Sequence, residues 1–343
     1  MKTRVVQRQI DYQYLPVSPS LLQVGSKIDF DCYIKRFNGY VIIIEAGSQI
    51  SEELYAKVRS HARIYIEHSQ RDRFERYCDA HTKEEIVAEA HSFEEKSECK
   101  VAVEALTSKI AKSDSVDERI CLLYGSGQVL MNRCFKLPEG EQLPITELTQ
   151  YAKILSEFIV RQRYRFQQFL TRMPAVYTEP NHALNVSILA TILAKALNMT
   201  NRQLDDVALS GLLHDIGKRR VDADILGKPA QLDSDEFEKV REHVVFSVQD
   251  VKENRINNPQ ILSAIRYHHE KLDGSGYPNG LVGNQIPVMA QILGVCDVFD
   301  ALTTDRTYRV QYSSFEALKL MKKEMNREIN SVYVDHLIML LSK

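Results

Sequence analysis

Between Pro180 and Thr304 the chain repeatedly places ionisable side chains where a helix would present apolar ones. His182 opens a run to Leu197 that is apolar on more than one face, and His214-Asp215 closes the next helical stretch. Phe237, Val240, Val244, Val248 and Val251 recur at spacings of three and four and predict a third helix, with His243 beside its stripe. His269 falls four residues after Ile265, and Asp297 falls four after Leu293 and four before Ala301, so each shares a helix face with apolar neighbours. A carboxylate taken out of water needs a partner. One histidine on an apolar face is more often a hydrogen-bonded core residue than a ligand, but five together with two aspartates reverse that balance. Imidazoles and carboxylates without cysteine suit iron, manganese or zinc in a reactive site rather than a structural zinc. Asp215, next to His214, is placed to bridge two cations, which favours a dinuclear hydrolytic centre.

Boundary signals make the whole C-terminal half helical. Thr200 and Gln203 have the spacing of a capping box, Asn258-Pro259 reads as a cap followed by a first-turn proline, and Pro287 starts a further helix in the same way. The beginning of the chain differs. Ile28, Phe30, Cys32 and Ile34 alternate with polar residues as in a half-buried strand, Asn38-Gly39 predicts a tight hairpin into the β-branched run Tyr40 to Ile44, and Ser51 opens a short helix. Alternation returns from Ala62 to Ile66. The expected organisation is a small α+β domain over residues 1–75, a helical connector over 76–164 and a helical domain over 165–343, making the protein mainly α.

Composition narrows the function. Among 343 residues, 44 Lys and Arg stand against 46 Asp and Glu, a net charge of −2, which disfavours a sequence-blind grip on nucleic acid polymers or anionic lipid. No apolar run approaches the roughly 20 residues of a membrane span, and the first residues lack the apolar segment of a signal peptide. Six cysteines (Cys32, Cys78, Cys99, Cys121, Cys134 and Cys296) are scattered without tight pairing, so reduced thiols and a cytoplasmic setting are expected. His61, His68, His81, His91 and His336 belong to no constellation.

Two longer stretches carry a family resemblance. Residues 213–218, Leu-His-Asp-Ile-Gly-Lys, resemble the signature of the HD metal-dependent phosphohydrolase superfamily. Residues 268–278, His-His-Glu-Lys-Leu-Asp-Gly-Ser-Gly-Tyr-Pro, resemble the long motif of its HD-GYP subfamily, and the likeness runs on through Asp297 to Arg309, covering roughly residues 165–325. The start of the chain resembles, more loosely, the small domain often found ahead of such modules. The resemblance implies a five-helix core with extra helices, two or three divalent ions (iron or manganese ahead of zinc), and hydrolysis of cyclic di-GMP to pGpG and onward to GMP through a metal-bridging hydroxide. Its ligands carry over to His182, His214, Asp215, His243, His268, His269 and Asp297, with Asp215 and Lys218 as the catalytic pair and Lys218 neutralising charge on the phosphate. Gly276, Tyr277 and Pro278 would meet the substrate, Tyr277 as a ring on which guanine stacks, and Arg306 and Arg309 would hold phosphate or base.

The sequence also departs from that pattern. Members with a third metal carry a glutamate four residues before the first histidine; here that place is Thr178, with Glu179 one position later, so two metals are expected. Where the family has proline and glycine after His243, this chain has Val244 and Ser247, changes that bear on helix shape more than on ligation. Other readings stay open beside the enzyme: a receptor that binds cyclic di-GMP without turnover, a module that docks a diguanylate cyclase or other signalling protein, or a phosphodiesterase for cyclic GMP-AMP. The N-terminal domain has room in its sequence for a ligand, a partner or a second copy of the chain.

Overall fold

The computed structural model describes residues 14–17, 22–36, 39–59, 64–70, 73–74, 76–77, 97–138, 140–161, 166–170, 173, 177–226, 228, 232–304 and 311–342. They fall in two units, 1–95 and 96–343.

In the first unit, β1 (Tyr14–Val17), β2 (Cys32–Arg36), β3 (Gly39–Ile44) and β4 (Ile64–Glu67) form an antiparallel sheet in the order β1-β4-β2-β3. The apolar positions of the predicted strands supply its core: Ile28, Phe30, Cys32, Ile34, Ile44, Ile64 and Ile66, joined by Val58 from α1 (Glu52–Arg59). Arg36 pairs with Gly39, so the strands flanking the expected hairpin do meet, while the turn residues 37–38 lie outside the described residues. The first strand is shorter than its alternation predicts. Residues 27–31 pair instead with the return of the chain, Ile28 N donating to Ser48 O at 3.1 Å and Gly47 N to Ile28 O at 2.7 Å. Strand β1 had no counterpart in the sequence reading; it is defined by its pairing with β4 across some fifty intervening residues.

The second unit is helical. Its elements are α2 (Ser97–Lys112), α3 (Val116–Lys136), α4 (Ile145–Arg161), α5 (Phe166–Leu170), α6 (Glu179–Ala196), α7 (Asn201–Leu213), α8 (Ala223–Leu226), α9 (Ser234–Arg241), α10 (His243–Glu253), α11 (Pro259–Tyr267), α12 (Val288–Thr303), α13 (Ser314–Glu324) and α14 (Ser331–Leu341). Helix α6 is the axis: every residue from His182 to Ala194 is buried, which is why that stretch is apolar on more than one face. Its start is fixed by Thr178, whose hydroxyl accepts the Asn181 N–H at 3.3 Å. Helix α7 begins with the predicted capping box, Thr200 with Gln203, and lies close on α6. A Cβ on Gly211 would collide with the Ser187 backbone, and the Ser187 hydroxyl donates to Ala208 O at 2.7 Å. One contiguous core runs from Leu106 to Leu337, so α2, α3 and α4 pack into the same interior as the helices that follow.

Helices α6, α7, α10, α11 and α12 surround the histidines. Asn258 caps α11 ahead of Pro259 as expected, and α12 starts just after Pro287. The third predicted helix differs from expectation. It breaks at Glu242 into α9 and α10, and α9 has no buried residue. The His243 ring nitrogen Nδ1 bonds the Val240 carbonyl at 2.6 Å, tying the side chain back onto α9 at the break. Phe237 is thereby left off the core stripe, 46% exposed. Among the described residues no helix is long and apolar enough to cross a membrane.

Candidate metal centre

His182 stands near the start of α6, His214 caps α7, Asp215 follows it, His243 begins α10, His268 caps α11 with His269 after it, and Asp297 sits within α12. Five helices thus deliver seven side chains to one place. Asp215 lies at the middle of them, buried to 1% exposure. Its Oδ1 is 3.0 Å from His243 Nε2 and 3.7 Å from His268 Nε2; its Oδ2 is 3.3 Å from His214 Nε2 and 3.5 Å from His182 Nε2. Two ligand groups therefore share Asp215: His243, His268 and His269 on one side, His182 and His214 on the other, with candidate ligand atoms within 4.8 Å of one another in each. Asp297 spans the same two groups, with Oδ1 3.1 Å from His182 Nε2 and Oδ2 3.5 Å from His269 Nδ1.

Hydrogen bonds orient the rings. Nδ1 of His214, His243 and His268 bonds the carbonyl three residues earlier, Gly211 O at 2.8 Å, Val240 O at 2.6 Å and Ile265 O at 2.7 Å. A carbonyl only accepts, so each Nδ1 carries a proton, and in the neutral tautomer that fits this bond the Nε2 lone pair faces the site. His182 is set differently, by Asp300 Oδ2 at 2.7 Å from its Nδ1. Asp300 in turn accepts from Asn185 Nδ2 at 2.8 Å, and Asn185 Oδ1 accepts from Tyr124 OH at 2.6 Å. Neither Asp300 nor Asn185 was singled out in the sequence. Asp300 lies three residues after Asp297 and Asn185 three after His182, a spacing that keeps each on its partner's helix face.

The donor set fits a cation. Nε2 of His214, His243 and His268, together with Asp215 Oδ1, are buried without a hydrogen-bond partner, and all of them lie around the Asp215 carboxylate. Buried polar atoms are rarely left so. Charge agrees: burial pushes the Asp215 carboxyl up, but His214, Lys218 and His243 draw it well below the ordinary carboxylate range, and Asp297 is likewise held low against burial by His182 and His269. Burial lowers His268 and His269, leaving them neutral and able to ligate. For His182 burial opposes a charge, yet Tyr177, Asp215, Asp297 and Asp300 raise it well above normal, a measure of the negative charge gathered there.

Lys218 arrives on the 3₁₀ turn Ile216–Arg220, its Nζ 2.6 Å from Asp215 Oδ2, 3.0 Å from Glu179 Oε2 and 3.3 Å from Tyr177 OH. Ser247, a departure from the family pattern, donates no ligand but accepts the Gly217 N–H at 2.8 Å and pins that turn to α10. The loop after His269 is held by Glu270, also missed in the sequence despite following the histidine pair. Its carboxylate accepts Asn279 N–H at 2.7 Å and Leu281 N–H at 2.9 Å. Gly276 lies so close under this loop that a Cβ would meet the Glu270 Cα at 2.5 Å. Tyr277 packs on His269 at 4.8 Å between centroids, and the Arg241 guanidinium lies 4.6 Å from its ring centre, so the ring expected to stack guanine already has neighbours. Pro278 is exposed. Arg306 and Arg309 lie outside the described residues.

Comparison with known proteins agrees with this geometry. The HD domain family profile matches residues 157–331. A cyclic di-GMP phosphodiesterase of Pseudomonas aeruginosa is 38% identical over 140 residues, 41% of this chain and 34% of that protein. A cyclic di-GMP phosphodiesterase response regulator of Xanthomonas campestris is 34% identical over 155 residues, 45% of this chain and 41% of that one. The 3'3'-cGAMP-specific phosphodiesterase 3 of Vibrio cholerae is 33% identical over 150 residues, 43% of this chain and 32% of its own length. The chain thus matches well under half the length of each of these relatives. Among solved structures, the HDG"Y"P protein Bd1817 of Bdellovibrio bacteriovorus shares the fold, with a TM-score of 0.57 at 18% identity, covering 96% of this chain and 100% of that one. With the profile and the paired His214-Asp215 in agreement, the chain belongs to the HD domain family.

Proposed function

We propose that this protein is a metal-dependent phosphodiesterase that opens a cyclic dinucleotide, cyclic di-GMP first, at a site built on Asp215. The observation that carries the reading is that buried imidazole nitrogens without hydrogen-bond partners flank one shared carboxylate, His243 and His268 Nε2 at Asp215 Oδ1 and His214 Nε2 at its Oδ2. Divalent ions held there supply Lewis acidity toward a phosphate and lower the pKa of water. The ligand set we assign is His182, His214, Asp215, His243, His268, His269 and Asp297. Asp215 turns one oxygen to each group of imidazoles, so a single side chain fixes the spacing of both positions. Lys218 keeps its proton, because Asp215 and Glu179 outweigh burial and hold its pKa well above normal, and its ammonium is stationed to neutralise charge on a phosphate oxygen. Thr178 is engaged as a helix cap and Glu179 is paired with Lys218, which supports two metals rather than three. We further assign Arg306 and Arg309 to substrate.

Iron or manganese suits this mixed nitrogen and oxygen set, ahead of zinc. The buried free thiols Cys32, Cys134 and Cys296 support a reducing, cytoplasmic setting. A second substrate, cyclic GMP-AMP, is favoured by the cGAMP-specific relative from Vibrio cholerae. The test is turnover of cyclic di-GMP and of cyclic GMP-AMP by protein purified without oxygen, with metal content measured on the same sample. Hydrolysis that tracks bound metal supports the reading; fully metal-loaded protein that binds either nucleotide without cleaving it refutes it in favour of a receptor.

A further inference from the structure

Phe237 has the helical spacing of a core residue, yet α9 leaves its ring 46% exposed. The ring is nevertheless ordered by neighbours. Arg241, one turn further along α9, sets its guanidinium 5.4 Å from the Phe237 centroid and 4.6 Å from that of Tyr277. The two rings meet edge to face at 6.4 Å. Tyr277 continues the row inward, 4.8 Å from His269 and 6.4 Å from His243. A line of π-systems therefore leads from a solvent-facing phenyl ring to the imidazoles around Asp215. Its inner ring is engaged on His269 and Arg241, so the accessible end is Phe237 with the outer part of the guanidinium, whose Nη1 is steadied by Glu238 at 2.5 Å.

We propose that Phe237 and Arg241 form a nucleobase subsite, in which a guanine of the cyclic dinucleotide stacks on Phe237 and meets the Arg241 fork at its edge. The proposal rests on the phosphodiesterase reading and adds to it the group that holds the base. A phenyl ring offers nothing to a phosphate but is a stacking surface for any base. The arginine fork matches the O6 and N7 acceptors of guanine, whereas adenine puts an amino donor at the corresponding place. The subsite thus accepts the guanine common to cyclic di-GMP and cyclic GMP-AMP and disfavours cyclic di-AMP. It also explains why an aromatic residue with core spacing is turned to solvent beside the site.

The experiment compares wild type with Phe237→Ala, Phe237→Tyr and Arg241→Lys on cyclic di-GMP and on bis(p-nitrophenyl) phosphate, a diester without bases. In Phe237→Ala the ratio of the two kcat/KM values falls about ten-fold or more, through the dinucleotide KM, and Phe237→Tyr restores it. Arg241→Lys narrows the preference for cyclic di-GMP over cyclic di-AMP. A ratio that stays at the wild-type value in Phe237→Ala overturns the subsite, even where both rates drop together as they would for a merely structural residue. If wild type cleaves neither ester, the phosphodiesterase reading fails separately, and stacking is then read from the fluorescence of a 2-aminopurine cyclic dinucleotide. Quenching by wild type that Phe237→Ala loses supports the subsite; quenching equal in both, or absent from both, overturns it.

Discussion

Asp300 Oδ2 lies 2.7 Å from His182 Nδ1, across 118 residues of chain, and this bond decides which face of the imidazole ring looks into the site. Asp300 touches none of the other histidines through a described hydrogen bond; it acts through His182. Carboxylates in this position fix the ring and raise its basicity, and their loss typically costs ten- to a hundred-fold in metal affinity or activity. Asp300→Ala is expected to lower metal affinity by about that factor, and also to leave Asn185 without its acceptor. Metal titration followed by elemental analysis, with kcat on the same samples, checks it; unchanged metal affinity would remove Asp300 from this role.

Asp215→Ala removes the carboxylate that both ligand groups share. Turnover should be abolished and metal per chain should fall, while the large helical core keeps the fold. Near-normal activity at normal metal content would rule out a mechanism built on a shared carboxylate.

Glu270→Ala takes the acceptor from two backbone N–H groups, those of Asn279 and Leu281. Each such bond to a carboxylate at a partly exposed site contributes about 1 kcal/mol, so thermal stability should drop modestly and the loop bearing Tyr277 should loosen. Glu270→Gln, which keeps one acceptor oxygen, should recover part of both effects. A calorimetric scan together with KM for the dinucleotide reads the two consequences separately.

Cys32 supplies a pH test in the N-terminal unit. Burial, and then Asp31, push its thiol from 9.0 up to about 12. The unfolded thiol ionises near pH 9 and the folded one near 12, so its contribution to stability is complete below pH 9 and is lost as pH rises toward 12. Denaturant unfolding of wild type and Cys32→Val across that range should show the wild type losing more. At neutral pH a thiol reagent should label exposed Cys121 at once and Cys32 only on unfolding.

The seven candidate ligands were legible because each sits at a helix boundary or on an apolar stripe, where a short-range pattern records burial. His269 four after Ile265 and Asp297 four after Leu293 are such records. What escaped the sequence depends on distant pairings. Asp300 acquires its meaning from His182, β1 from β4, and the capping role of Thr178 is one more hydroxyl among many until α6 is in place. Phe237 misled for the opposite reason: its spacing is that of a buried residue, and only the break at Glu242, tied by His243 to the Val240 carbonyl, turns it outward. The strand predicted from Lys27 forms only from Cys32 onward, because Ile28 bonds the loop at Gly47 and Ser48 and the Asp31 N–H bonds Gln70 Oε1, pairings that alternation cannot reveal.

His214, His243 and His268 each lean on the carbonyl three residues behind them. The device is local: the acceptor arrives with the backbone turn that carries the ring, and no ion is needed to form it. The aim of these three candidate ligands is therefore set by the local backbone, which positions each Nε2 before any ion is bound. Chelation of this protein should silence it without unfolding it, the reverse of small zinc modules whose metal is their folding energy.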